Sequence, residues 1–205
     1  MNNNTLRAAA QSVLLMAYGG KLKHDEMGFT EAQVARWLCE WRDFFLKQDI
    51  MALGDSMQPD MAYFSIYYDV EILWGKGYGY ILLPNGLPPS CPFNRGVRIE
   101  PSMGGGMPFI VTMDNFCNLN PHLAFLEGNY ACEVRPDRVL FTNMEQSTAP
   151  RTVTLYVIEK SSGDMDKPLN IPPDKLSACA DKVLERMGLS RQDNSADNIE
   201  TREGK

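Results

Sequence analysis

The sequence predicts an α+β fold: a mainly antiparallel β-sheet or small β-sandwich core, with two N-terminal helices, one C-terminal helix and a disordered C-terminal tail. Three observations carry that expectation. Apolar residues recur at helical spacing near both ends of the chain, residues 64–74 alternate apolar and polar with a period of two, and the later strand-like runs are joined by short links with no helical stretch between them. The expected organisation is an N-terminal helical segment over 1–60, a β-rich core over 61–160, a linker and helix over 161–188, and a tail over 189–205.

In residues 5–18, Leu6, Ala10, Val13, Leu14 and Ala17 form one stripe, with Asn4 or Thr5 as N-cap and Gly19-Gly20 ending the run. A second helix starts after Thr30, which with Gln33 makes a capping box, and extends to about Leu53. Its stripe reads Val34, Trp37, Leu38, Trp41, Phe44, Phe45 and Gln48. Aromatic residues at that spacing are expected to pack in the domain's own core.

The alternation over 64–74 assigns Phe64, Ile66, Tyr68, Val70, Ile72 and Trp74 to a buried face, and Ser65, Asp69 and Glu71 to a wet one. Gly75-Lys76-Gly77 offers a tight reversal, so 64–83 is expected to form a hairpin. Residues 84–106 are rich in Pro and Gly and read as a long connection holding a short strand at 97–100. Further strands are expected at 107–113, 129–134, 139–142 and 152–158, six or seven in all. Leu176, Ala180, Val183, Leu184 and Met187 mark the last helix, which Gly188 ends. The polar residues 190–205 are expected to be disordered.

The 205 residues, 44% hydrophobic and 22% charged, suit one main globular domain. A formal net charge of −6 disfavours a dedicated nucleic-acid binder, which needs clustered Lys and Arg. Five widely spaced cysteines, Cys39, Cys91, Cys117, Cys132 and Cys179, contain no C-x-x-C pair and read as thiols in a reducing compartment. No charged leader and no membrane-length apolar run is present, which predicts a soluble, unexported chain.

No chemical motif survives. His24 and His122 lie in unrelated contexts, and Cys117 is five residues from His122 across an Asn- and Pro-bearing loop that guarantees no contact. Gly19-Gly20-Lys21 is followed by Leu22 where a phosphate loop needs a hydroxyl. Gly75, Gly77 and Gly79 open a strand where a dinucleotide fold opens a helix, and Gly104-Gly105-Gly106 reads as a turn. Asp69 and Glu71 read as solvated charges. The expectation is a non-enzymatic protein with no metal or cofactor.

Residues 70–84, ending in Leu83-Pro84, then 94–101 with Gly96-Val97, then 106–110 with Pro108-Phe109, resemble small virion proteins of crAss-like and related short-tailed bacteriophages of Bacteroidetes. The resemblance implies a head-to-tail connector or adaptor-type ring component below the portal. It further implies a homo-oligomeric ring, portal and neighbouring connector or tail proteins as partners, passive contact with DNA in the channel, no membrane, and assembly into the virion in the host cytoplasm. A ring needs one patch to meet a different patch on the next copy. The candidates are Pro84, Leu87, Pro88, Phe93 and Arg95 of the long loop, Phe109 of the strand candidate after it, and Leu176, Val183, Leu184 and Met187 of the last helix. The alternative is a β-sandwich module binding carbohydrate or protein through Tyr63, Tyr67 or Tyr78. A small hydrolase using Cys117 or scattered carboxylates is the third reading.

Overall fold

The computed structural model describes residues 5–19, 28–53, 59–75, 78–88, 91, 95–102, 110–112, 131–142 and 149–189. Among them are three helices, α1 (Leu6–Ala17), α2 (Glu31–Ala52) and α3 (Pro173–Arg186). The eight strands are β1 (Ser65–Glu71), β2 (Leu73–Gly75), β3 (Tyr78–Leu82), β4 (Val97–Pro101), β5 (Ile110–Thr112), β6 (Ala131–Val134), β7 (Arg138–Thr142) and β8 (Thr152–Val157). One sheet has the order β1-β8-β4 and the other β2-β3-β7-β6-β5. Every pairing is antiparallel except β5 with β6. The fold is α+β with two mainly antiparallel sheets, as the patterning predicts.

The helix ends follow the expected chemistry. Thr5 accepts from the Ala8 amide at 3.2 Å, and Thr30 and Gln33 exchange hydrogen bonds of 3.3 and 2.9 Å in a capping box. Each cap is worth about 1 kcal/mol because it satisfies amides that the helix itself cannot. At the end of α3, Gly188 donates to the Glu185 carbonyl and Leu189 to the Leu184 carbonyl, both at 2.9 Å. Those two bonds need Gly188 at its left-handed φ of 77°, the conformation of a Schellman motif.

Helices from both ends of the chain share one core. Leu6, Val13 and Leu14 of α1, Val34, Leu38 and Leu46 of α2, and Val183 and Leu184 of α3 are buried together with Phe64 and Ile158 at one end of the β1-β8-β4 sheet. A second core lies between the sheets, joining Val97, Ile99, Leu155 and Val157 to Ile81, Val139 and Phe141. The polar segment after β8 is stitched to the start of α1: the Leu6 and Arg7 amides donate to the Lys167 and Met165 carbonyls, each at 2.9 Å.

Two expectations are corrected. The aromatic stripe of α2 is only partly core: Trp37, Trp41 and Phe45 sit half-buried at its rim, while Phe44 is 45% exposed and packs edge-on against Trp41 at 5.3 Å. The deeper face is instead Val34, Ala35, Leu38, Arg42, Leu46 and Ile50, rotated away from the aromatic residues.

The hairpin over 64–83 does not form as one unit. The chain changes sheet at Ile72, so β1 pairs with β8 and only β2 pairs with β3. Within β1 the register slips between Tyr67 and Val70, and Asp69 adopts φ 52°. This β-bulge adds one residue and reverses the phase of the alternation. Before it, Ser65 and Tyr67 face inward; after it, Val70 and Ile72 do. Ile66 and Tyr68, expected inside, are therefore 43% and 71% exposed.

Candidate functional site

A pocket of about 360 Å³ opens at one end of the sandwich, where β1 and β8 meet the segment that leads to α3. Its floor is built around Glu159. Ile158 is anchored in the helical core and its amide donates to the Gly96 carbonyl at 2.8 Å, so the next side chain turns to the opposite side. The inward phase of β1 ahead of the bulge places Ser65 and Tyr67 on that same side. Both hydroxyls donate to the Glu159 carboxylate, Ser65 to Oε2 at 2.8 Å and Tyr67 to Oε1 at 2.7 Å. Asn85, just beyond β3 in the other sheet, donates to Oε1 at 2.6 Å. Asn170 donates in turn to the Ser65 hydroxyl at 2.8 Å.

Beneath the pocket lies Arg42, buried although charged. Its guanidinium donates to the carbonyls of Asn170 and Glu159, each at 3.1 Å, to the Tyr63 carbonyl at 3.4 Å, and to Asp43 at 2.7 Å. It also lies 5.9 Å from the centre of the Tyr63 ring. A buried charge persists only with such satisfaction. The network fixes α2 to the end of β8 and to the segment that carries Asn170.

The chemistry of this cluster is that of holding charge. Burial, followed by the hydrogen bond and the charge of Glu159, pushes the Tyr67 phenol up to about 12, so it remains a donor at neutral pH. Ser65 donates its hydroxyl hydrogen bond to the same carboxylate, and among the described residues no histidine lines the pocket. Glu159 has no ion-pair partner among the described residues, although three neutral donors orient it.

Of the ten candidate interface residues, Pro88, Arg95, Val183, Leu184 and Met187 are buried within this chain, and Leu87 and Leu176 are half-buried. Val183, Leu184 and Met187 hold the helical core, and Arg95 donates to the Ile50 carbonyl at 3.1 Å. Pro84 is exposed, while Phe93 and Phe109 lie outside the described residues, as do His24, Cys117, His122, Gly104 to Gly106 and residues 190–205. Asp69 and Glu71 are exposed. Of the tyrosines proposed as stacking faces, Tyr63 is buried with its hydroxyl on Asp49 at 2.8 Å, and Tyr67 is committed to Glu159; Tyr78 is 38% exposed. Cys39, Cys91, Cys132 and Cys179 are buried thiols. Among the described residues no cluster of three or more His, Cys, Asp or Glu could hold a metal ion, and no helix is long and apolar enough to cross a membrane.

Sequence reasoning missed Glu159, Asn85, Asn170 and Arg42. Only Arg42 left a signal: it stands four residues from both Leu38 and Leu46, in the middle of a buried stripe.

The outer face of the β1-β8-β4 sheet is a second surface of note. Beyond the helices it presents Ile66 and Tyr68, with Tyr156 and Arg98 beside them. Tyr156 donates to Glu100 at 3.2 Å, Arg98 pairs with Glu100, and the Arg98 guanidinium stands 5.7 Å from the Tyr156 ring centre. No protein-family model matches this sequence, and no curated protein is similar to it.

Proposed function

We propose that the chain is a non-enzymatic structural subunit of a bacteriophage particle, assembling into an oligomeric ring of the head-to-tail connector below the portal. The observation that carries the assembly half of this reading is the exposure of large apolar side chains on ordered elements. Ile66 and Tyr68 on β1, with Phe44 and the 74% exposed Met51 on α2, are side chains that a lone subunit leaves wet at a free-energy cost. Among the described residues β1 is an edge strand, and a backbone edge of that kind can pair with a neighbouring copy. The virion setting rests on the resemblance over residues 70–110, with portal and connector or tail proteins as neighbours and DNA passing through the channel.

Mass photometry and electron microscopy of the purified chain, alone and with portal protein, test the proposal. Closed rings or a portal-bound ring are expected; a persistent monomer with no affinity for portal or tail proteins overturns it. A β-sandwich binding module is the second reading, favoured by the polar pocket at the end of the sandwich. Glycan-array binding through that end would favour it over the ring.

A further inference from the structure

We infer that the pocket around Glu159 is a binding site for an alkylammonium group, such as a lysine-type side chain. The inference goes beyond the ring proposal and stands whether or not the chain assembles. A carboxylate offers about four acceptor directions, and here Oε1 uses two and Oε2 one. One direction on Oε2 remains. It suits a single N–H of a compact ammonium better than the two-pronged fork of a guanidinium.

The three existing donors are neutral. They fix where the carboxylate stands without cancelling its charge, so an arriving cation gains a charge-assisted bond to a preorganised acceptor. Leu6 and Leu169, which line the pocket, offer apolar surface to the methylene stem, and the volume lies in the range of small-ligand sites, roughly 300–1,000 Å³. Like charges nearby do not block the site. Arg42 is turned to backbone carbonyls and Asp43, while Lys160 and Lys167 are exposed at the rim, where solvent and salt screen them.

The test is an NMR titration of the full chain with N-acetyl-lysine amide and with its neutral isostere, in which a hydroxyl replaces the ammonium. Amide signals of Ser65, Tyr67, Asn85 and Asn170 are expected to shift with the cationic probe, which should bind at least tenfold tighter than the isostere, about 1.4 kcal/mol. In Glu159→Gln that preference should vanish. Because the wild-type comparison alone decides the matter, a variant that fails to fold leaves the test intact. Equal binding of the two probes, or shifts confined to other regions, overturns the inference. A parallel titration with n-butylammonium separates the sources: tighter binding of the peptide form points to a partner's lysine, and tighter binding of the simple amine to a small molecule.

Discussion

The guanidinium of Arg42 donates to the backbone carbonyl of Asn170 at 3.1 Å, across 128 positions of sequence. That contact joins the middle of α2 to the segment that supplies the Glu159 pocket. Arg42→Met is expected to destabilise the fold by about 3 kcal/mol, since three carbonyls and Asp43 lose a charged donor. Arg42→Lys should recover only part of it, because one ammonium cannot span acceptors set in different directions. Urea denaturation reads this as a lower midpoint at unchanged slope.

Asp69 bears the left-handed backbone of the β1 bulge. Asp69→Gly is expected to leave stability within about 0.5 kcal/mol of the parent, and Asp69→Val to cost roughly 1–3 kcal/mol, since a β-branched side chain resists positive φ. Equal midpoints for the two variants would remove the strain argument.

At the other glycine-type position, Gly188, an added Cβ meets nothing within 4 Å, so the whole effect of Gly188→Ala is conformational. A loss of about 1 kcal/mol is expected in thermal or chemical denaturation.

Burial raises the Cys91 thiol to about 11 and the Cys132 and Cys179 thiols to about 12, from an ordinary value of 9.0. Folding therefore favours the protonated thiol. The unfolded chain loses these protons first as pH climbs, so the associated stability is complete below about pH 9 and declines between 9 and 12. Alkylation with iodoacetamide, mapped by mass spectrometry, should leave these three thiols unmodified in the native protein and modify them in urea.

Ile66→Asp changes an exposed position and is expected to shift monomer stability by less than about 0.5 kcal/mol. Mass photometry should show the assembled fraction falling sharply. Retention of full assembly would dissociate this face from the ring contact.

The local signals in the sequence were reliable where chemistry acts within a few residues. Thr30 with Gln33 and the glycine after Met187 marked their helix ends because caps involve neighbours only. The alternation over 64–74 announces a strand, yet nothing local distinguishes an aspartate at a bulge from one on a wet face, so the period alone points Ile66 and Tyr68 inward. Glu159 was illegible for a different reason. Its partners come from positions 65, 67 and 85, and only the closure of the sandwich brings them together.

The helical core draws on helices that precede the strands, α1 and α2, and on one that follows them, α3. During synthesis α1 and α2 emerge early with an unfilled side, and the layer cannot close until α3 has left the ribosome. The two sheets can associate once β8 is out, leaving a seam of exposed leucine and valine that waits on the final segment. A product cut short before α3 should thus be captured by chaperones or proteases, so only copies that carry α3 reach the folded pool.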